Sequence, residues 1–195
     1  MISQDPHAKR VVFLGPPGAG KGTQSATLSN DYKLAHISTG DILRSSIAQG
    51  TSMGLKAQSF MAQGKLVPDE VVIGIINDRI QDPDCFHGFL LDGFPRTVPQ
   101  AQALDKLLEE LQLPLTDIID LNVDDAILIA RIEKRATEQN RPDDNPEVFK
   151  NRLKVYHEQT RPVKEYYASH GRVAEVNGIG TTDEVYARIK ASLRA

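Results

Sequence analysis

The sequence predicts an α/β fold, a doubly wound five-stranded parallel sheet, and three observations carry that prediction. Runs such as Val11-Val12-Phe13-Leu14 and Phe89-Leu90-Leu91 are apolar at consecutive positions, as in strands covered on both faces. Between such runs lie segments with a 3.6-residue apolar period, for example Val71, Val72, Ile75, Ile76 and Ile80. A glycine-rich stretch, Gly15 to Thr23, joins the first apolar run to the first helical pattern.

In chain order, residues 1–9 read as a short tail and Arg10–Leu14 as the first strand. A helix is expected from Gly20 to Asp31, then a second strand at Leu34–Ile37. Ser38 with Asp41 resembles a capping box opening a helix whose apolar face is Ile42, Leu43 and Ile47. A polar break at Gly50-Thr51-Ser52 precedes a helix over Met53–Gln63. After the connector Gly64–Val67, Pro68-Asp69-Glu70 starts another helix, with proline early and acids in the first turn. A simple crossover needs one helix, so residues 38–80 read as a helical insertion beside the sheet.

Phe86–Asp92 is the third expected strand. Thr97 and Gln100 have capping-box spacing for the helix that carries Leu104, Leu107, Leu108 and Leu111. Ile118–Val123 is the fourth strand and Ala126–Glu138 a helix. Asn145-Pro146 supplies an N-cap and a first-turn proline for a helix toward Ser169, interrupted near Pro162. Arg172–Val176 is the fifth strand and Thr182–Leu193 the last helix.

A chain of 195 residues fits one domain with small insertions, and 40% hydrophobic with 25% charged residues is ordinary for a soluble protein. A net charge of −3 does not suggest a general nucleic-acid binder. The single cysteine, Cys85, excludes an internal disulfide and a four-cysteine zinc site, and suits a cytoplasmic setting. Met1–Lys9 is polar, and no apolar run has the length of a bilayer span, so neither a secretory signal nor a membrane partner is expected.

The chemistry starts at the glycine-rich stretch. Gly15 and Gly20-Lys21 match the G-x-x-x-x-G-K spacing of a P-loop, in its strand–loop–helix context. Such a loop converges backbone N–H groups on phosphate, and the following helix adds the positive end of its dipole. Lys21 adds a mobile charge for the outer phosphates. Gly22 stands where a Ser or Thr metal ligand is usual, and a hydroxyl arrives only at Thr23. Asp92 closes an apolar strand as a Walker-B acid does, and could hold Mg²⁺ directly or through water. Gly15, Asp92-Gly93 and Asn177-Gly178 all end strands and should converge on one cleft.

The arginines point the same way. Arg131 and Arg135, four apart, share one helix face, where like charges repel unless an anion lies between them and the loop. Arg141 follows in the connector, Arg152 sits beside apolar positions, and Arg44 and Arg96 lie at the other loops. Together they suit phosphate clamping and phosphoryl transfer, which needs positioning and charge neutralisation rather than covalent help. His36 is read as structural, since no dyad partner lies near it in sequence.

On four motifs the chain resembles the adenylate kinases, nucleoside monophosphate kinases that make two ADP from ATP and AMP: Gly15 to Gln24, Ser38-Thr39-Gly40-Asp41-Ile42-Leu43-Arg44, Asp92-Gly93-Phe94-Pro95-Arg96-Thr97 and Arg141-Pro142-Asp143-Asp144. The resemblance runs from Arg10 to the last helix, and Gly22 is the family's own form of the loop. It implies a P-loop kinase fold and an ATP-phosphate site at Gly18, Ala19, Gly20, Lys21, Gly22 and Thr23. Arg135 would contact ATP phosphates, Arg131 would lie near the ATP base, and Gly180 would give a backbone contact to the adenine. Thr39, Arg44, Lys65, Leu66, Val67, Gly93, Phe94, Pro95, Arg96 and Gln100 would bind AMP, and Arg141 and Arg152 would grip the AMP side and the transferring group. Lys21, Arg96, Arg135, Arg141 and Arg152 would thus carry catalysis, with Asp92 on magnesium through water. Gln100 has a second reading, as partner of Thr97 in the capping box.

The short gap between Arg135 and Arg141 implies the short-lid form: residues 38–67 as the AMP clamp, 134–144 as a small lid loop, no structural zinc, and a monomer. Two rivals stand beside this reading. A UMP/CMP kinase would share the phosphate contacts, though its relatives usually show Ala where this chain has Thr39. A non-catalytic nucleotide switch would leave the arginines without purpose, and no Asn-Lys-x-Asp guanine motif is present.

Overall fold

The computed structural model describes residues 8–139, 145–171 and 173–194, with the backbone alone for 133–139. Its centre is a five-stranded sheet, β1 Lys9–Leu14, β2 Ala35–Ser38, β3 Gly88–Asp92, β4 Asp117–Asn122 and β5 Val173–Asn177. The order is β2-β3-β1-β4-β5 and every pairing is parallel. β1 and β3, apolar on consecutive residues, lie at the centre because both their faces are covered.

Side chains alternate between two cores. Val12, Leu14, Phe89 and Leu91 pack on one face with Leu104 and Tyr167, while Val11, Phe13, Leu90 and Ile119 pack on the other with Leu28, Phe149 and Ile189. The helices are α1 Lys21–Tyr32, α2 Thr39–Ala48, α3 Ser52–Ala62, α4 Asp69–Ile80, α5 Val98–Glu110, α6 Asp125–Gln139, α7 Pro146–Val155, α8 Arg161–Ala168 and α9 Thr182–Ser192.

Most boundaries fall within two residues of the sequence reading. Where they differ, local chemistry explains it. The third strand begins at Gly88 rather than Phe86, because Pro83–His87 forms a 3₁₀ turn that ends at Gly88. α7 and α8 are joined by one wide turn, Tyr156–Thr160, ahead of Pro162, whose missing N–H cannot complete an α-helical bond. The expected box at Ser38 is half formed: Ser38 Oγ accepts from Asp41 N–H, but the Asp41 carboxylate turns to Arg44. Val72, Ile76 and Ile80 of α4, like Leu43 of α2 and Ala57 of α3, belong to the core that contains Leu104 and Leu108.

Candidate active site

The loop after β1 is shaped by backbone. Gly15 has φ 133°, and a Cβ there would stand 2.7 Å from the Leu121 carbonyl oxygen, so the chain can turn against β4 only with glycine. α1 starts from Gly20, a left-handed residue that offers no side-chain cap, so its first N–H groups face the loop. Lys21 Nζ folds back over the loop and donates to the Gly15 and Pro16 carbonyls, each at 2.8 Å. Arg131 braces the far side, donating to Ala19 O at 3.3 Å and Gly178 O at 2.9 Å.

Above the loop opens a cleft of about 470 Å³. Gly18, Lys21, Thr23, Arg44, Asp92, Arg96, Arg131 and Arg152 are among its lining residues. A second pocket adjoins it, lined by Thr39, Arg44, Leu66, Val67, Gln100 and Lys65, again with Gly93, Arg96 and Arg152. A third lies between Lys21, Pro95, Arg96 and Tyr156. Arg96 and Arg152 line all three, so the cavities are compartments of one site with two guanidinium groups at the junction.

Asp92 is almost fully buried at the end of β3. Burial alone would raise its pKa, but His36, Lys21 and Arg96 outweigh it and hold the carboxyl below the ordinary carboxylate value, ionised. A Cβ at position 22 would stand 3.6 Å from Asp92 Oδ2, so the place where other P-loops carry a hydroxyl faces this carboxylate. One ionised carboxylate beside a phosphate loop fits Mg²⁺, which takes few protein ligands and keeps waters and phosphate oxygens. Among the described residues no cluster of three His, Cys, Asp or Glu could hold a metal alone.

The Gly93 carbonyl is the hub of the second pocket. It accepts from Thr39 Oγ1 at 2.9 Å and Arg96 Nε at 2.7 Å. Gly93 has φ 79°, and a Cβ would meet Arg96 Nη2 at 2.8 Å and Thr39 Oγ1 at 3.0 Å. The 93–96 loop, which carries a cis Phe94–Pro95 bond, thereby sets Arg96 between the two compartments.

The other expected residues are placed unevenly. Phe94 is buried in the core and not on the pocket wall, because an apolar ring at the end of β3 packs under the sheet. Asn177 and Ile179 line a separate cavity with Val123 and Glu175, while Gly178 lies against the P-loop, where a Cβ would stand 3.6 Å from Ala19 O and its carbonyl accepts from Arg131. Gly180 lines neither that cavity nor the main cleft. The Gln100 side chain does not return to the N-cap: Thr97 Oγ1 accepts from Gln100 N–H, but the Gln100 amide bonds Arg96 and Asp69. Arg141 lies outside the described residues, as does the Arg135 side chain. Two residues were missed. His36 Nε2 stands 3.8 Å from Asp92 Oδ2 on the cleft wall, on the strand beside β3. Its place just before Ser38-Thr39, at the carboxyl edge of β2, was the available signal. Asp69 was read only as a helix-start acid.

A family model described as Adenylate kinase matches residues 13–172. The chain is similar to the adenylate kinase of Leptospira biflexa serovar Patoc, 48% identical over 185 residues, covering 95% of this chain and 100% of the relative. It is similar to that of Stenotrophomonas maltophilia, 48% identical over 186 residues, covering 95% and 100%. It is similar to that of Sinorhizobium medicae, 50% identical over 190 residues, covering 94% and 99%. The chain therefore belongs to the adenylate kinase family and is a phosphotransferase of the P-loop kinase fold.

Proposed function

We propose that this member of the adenylate kinase family transfers a phosphoryl group reversibly from ATP to AMP, giving two ADP, in the compartments joined by Arg96 and Arg152. The observation that carries this reading is the shared junction: a phosphate loop opens on one side of the two arginines and a second pocket, lined by Thr39, Val67 and Gln100, on the other. A binder of one nucleotide has no use for both.

In this reading the ATP phosphates lie on Gly18–Thr23, with Lys21 leaving the loop carbonyls for the outer phosphates. The donor base rests toward Arg131, with the backbone near Gly180 as its adenine contact. AMP lies among Thr39, Arg44, the Lys65–Val67 connector, Gly93 and Gln100, with backbone rather than ring contact at Phe94. Arg96 and Arg152 approach the transferring group from the AMP side, and Arg135 and Arg141 join from α6 and the segment after it. Asp92 would be the carboxylate that holds magnesium, through water, and the metal would neutralise charge on the phosphates. Catalysis is then positioning and charge stabilisation, with Arg96 and Arg152 lining the junction and Lys21 swinging from the loop carbonyls to the phosphates.

Residues 38–67 act as the AMP clamp and 134–144 as a short lid; their closure excludes water that would otherwise accept the phosphoryl group. The test is stoichiometry with chelation. Phosphorus NMR should find two ADP formed per ATP consumed when AMP is present, and EDTA should stop turnover without lowering the melting temperature. ATP loss independent of AMP would contradict the transfer reaction, and a large fall in melting temperature on chelation would reveal a structural metal.

A further inference from the structure

The carboxamide of Gln100 is held in one of its two orientations. Its Oε1 accepts from the Arg96 backbone N–H at 2.7 Å, and its Nε2 donates to Asp69 Oδ1 at 2.7 Å. A backbone N–H can only donate and a carboxylate can only accept. Exchanging oxygen and nitrogen would set donor against donor at Arg96 and acceptor against acceptor at Asp69. Asp69 is held in turn by Thr97 Oγ1, which donates to its other oxygen at 3.0 Å.

The amide is only 2% exposed, yet it lines the second pocket beside Thr39, Val67 and Arg96. After its two bonds it keeps one N–H and one lone pair for a ligand. A 6-amino purine offers an acceptor at N1 beside a donor at N6, and a 6-oxo purine offers the reverse. An amide free to flip can match either. An amide held by Asp69 and Arg96 presents one order only. We propose that Asp69 is a positioning residue for base choice: by fixing the Gln100 amide it favours 6-amino over 6-oxo purine monophosphates. This rests on the reading that the second pocket takes the monophosphate's base.

Asp69→Asn removes the one-way acceptor with little change of shape, and Asp69→Ser does so while keeping a side chain suited to the start of α4. Steady-state rates with ATP fixed are measured for adenosine and inosine monophosphate. Both variants should lower the ratio of kcat/KM for AMP over IMP about tenfold, the worth of exchanging a charged for a neutral hydrogen bond. The change should fall in KM for the monophosphate, with KM for ATP unmoved. Thr97→Val, which removes the α5 cap and the second hydrogen bond to Asp69 but leaves the Gln100–Asp69 bond, should keep the ratio within about twofold. An unchanged ratio in folded Asp69 variants, or an equal fall in Thr97→Val, would overturn the assignment to Asp69. Wild-type protein that fails to phosphorylate AMP would instead overturn the reading of the pocket, and this inference with it.

Discussion

The phosphate loop and the monophosphate pocket recognise their ligands by different means. The loop is one continuous stretch, Gly15 to Thr23, and its working atoms are backbone groups aimed by the bend at Gly15 and the start of α1. The pocket is assembled from the start of α2, the 64–67 connector, the β3–α5 loop and α7, and its working atoms belong to side chains. A backbone site is written into consecutive residues and needs only its strand and helix. A side-chain site exists only once separate elements have packed. In the proposed reading the loop supplies charge common to all nucleotides, and the pocket supplies choice between them.

Lys21→Met is the largest break available on the loop side. It should lower kcat by ~10³-fold or more, leave AMP binding near wild type, and leave the melting curve nearly unchanged. Stopped-flow rates and a calorimetric AMP titration would check both halves. An equal loss of AMP binding would mean that the two regions are not separable.

Arg152→Ala tests the junction. Because Arg152 lines all three compartments, kcat should fall by ~10²-fold with smaller changes in either KM. A rise confined to KM for AMP would move Arg152 wholly into the pocket.

Asp92 gives a smaller, pH-dependent effect. Its folded pKa lies below the ordinary 3.8, so its ionised form adds stability above that value, and the contribution is lost as pH falls through the lower folded value. Asp92→Asn should therefore be less stable than wild type near neutrality, and the difference should narrow below pH 3.8 in thermal melts. A constant difference across that range would mean that Lys21, His36 and Arg96 do not act on its charge.

The same contrast explains what was legible in the sequence. The strand–loop–helix around Gly15 could be read because glycine spacing and an apolar run are local signals. Arg96 and Arg152 stood out as arginines, but their meeting at one junction depends on β3 and α7 arriving at the same cleft. Asp69 and Gln100, 31 positions apart, each had a sufficient local reading as helix-start residues, and those readings hid their bond. His36 was set aside for want of a neighbour in sequence; its neighbour, Asp92, lies on the adjacent parallel strand. The β5 turn ends a strand on the expected edge, and Arg131 ties its Gly178 carbonyl to that of Ala19 in the loop.

If the pocket beside Arg96 and Arg152 takes AMP, the most direct measurement is a coupled assay with ATP and AMP, UMP, CMP or GMP in turn. Turnover should be far fastest with AMP, with the others trailing in kcat/KM. UMP or CMP turning over much faster than AMP would contradict the account and assign the pocket to a pyrimidine.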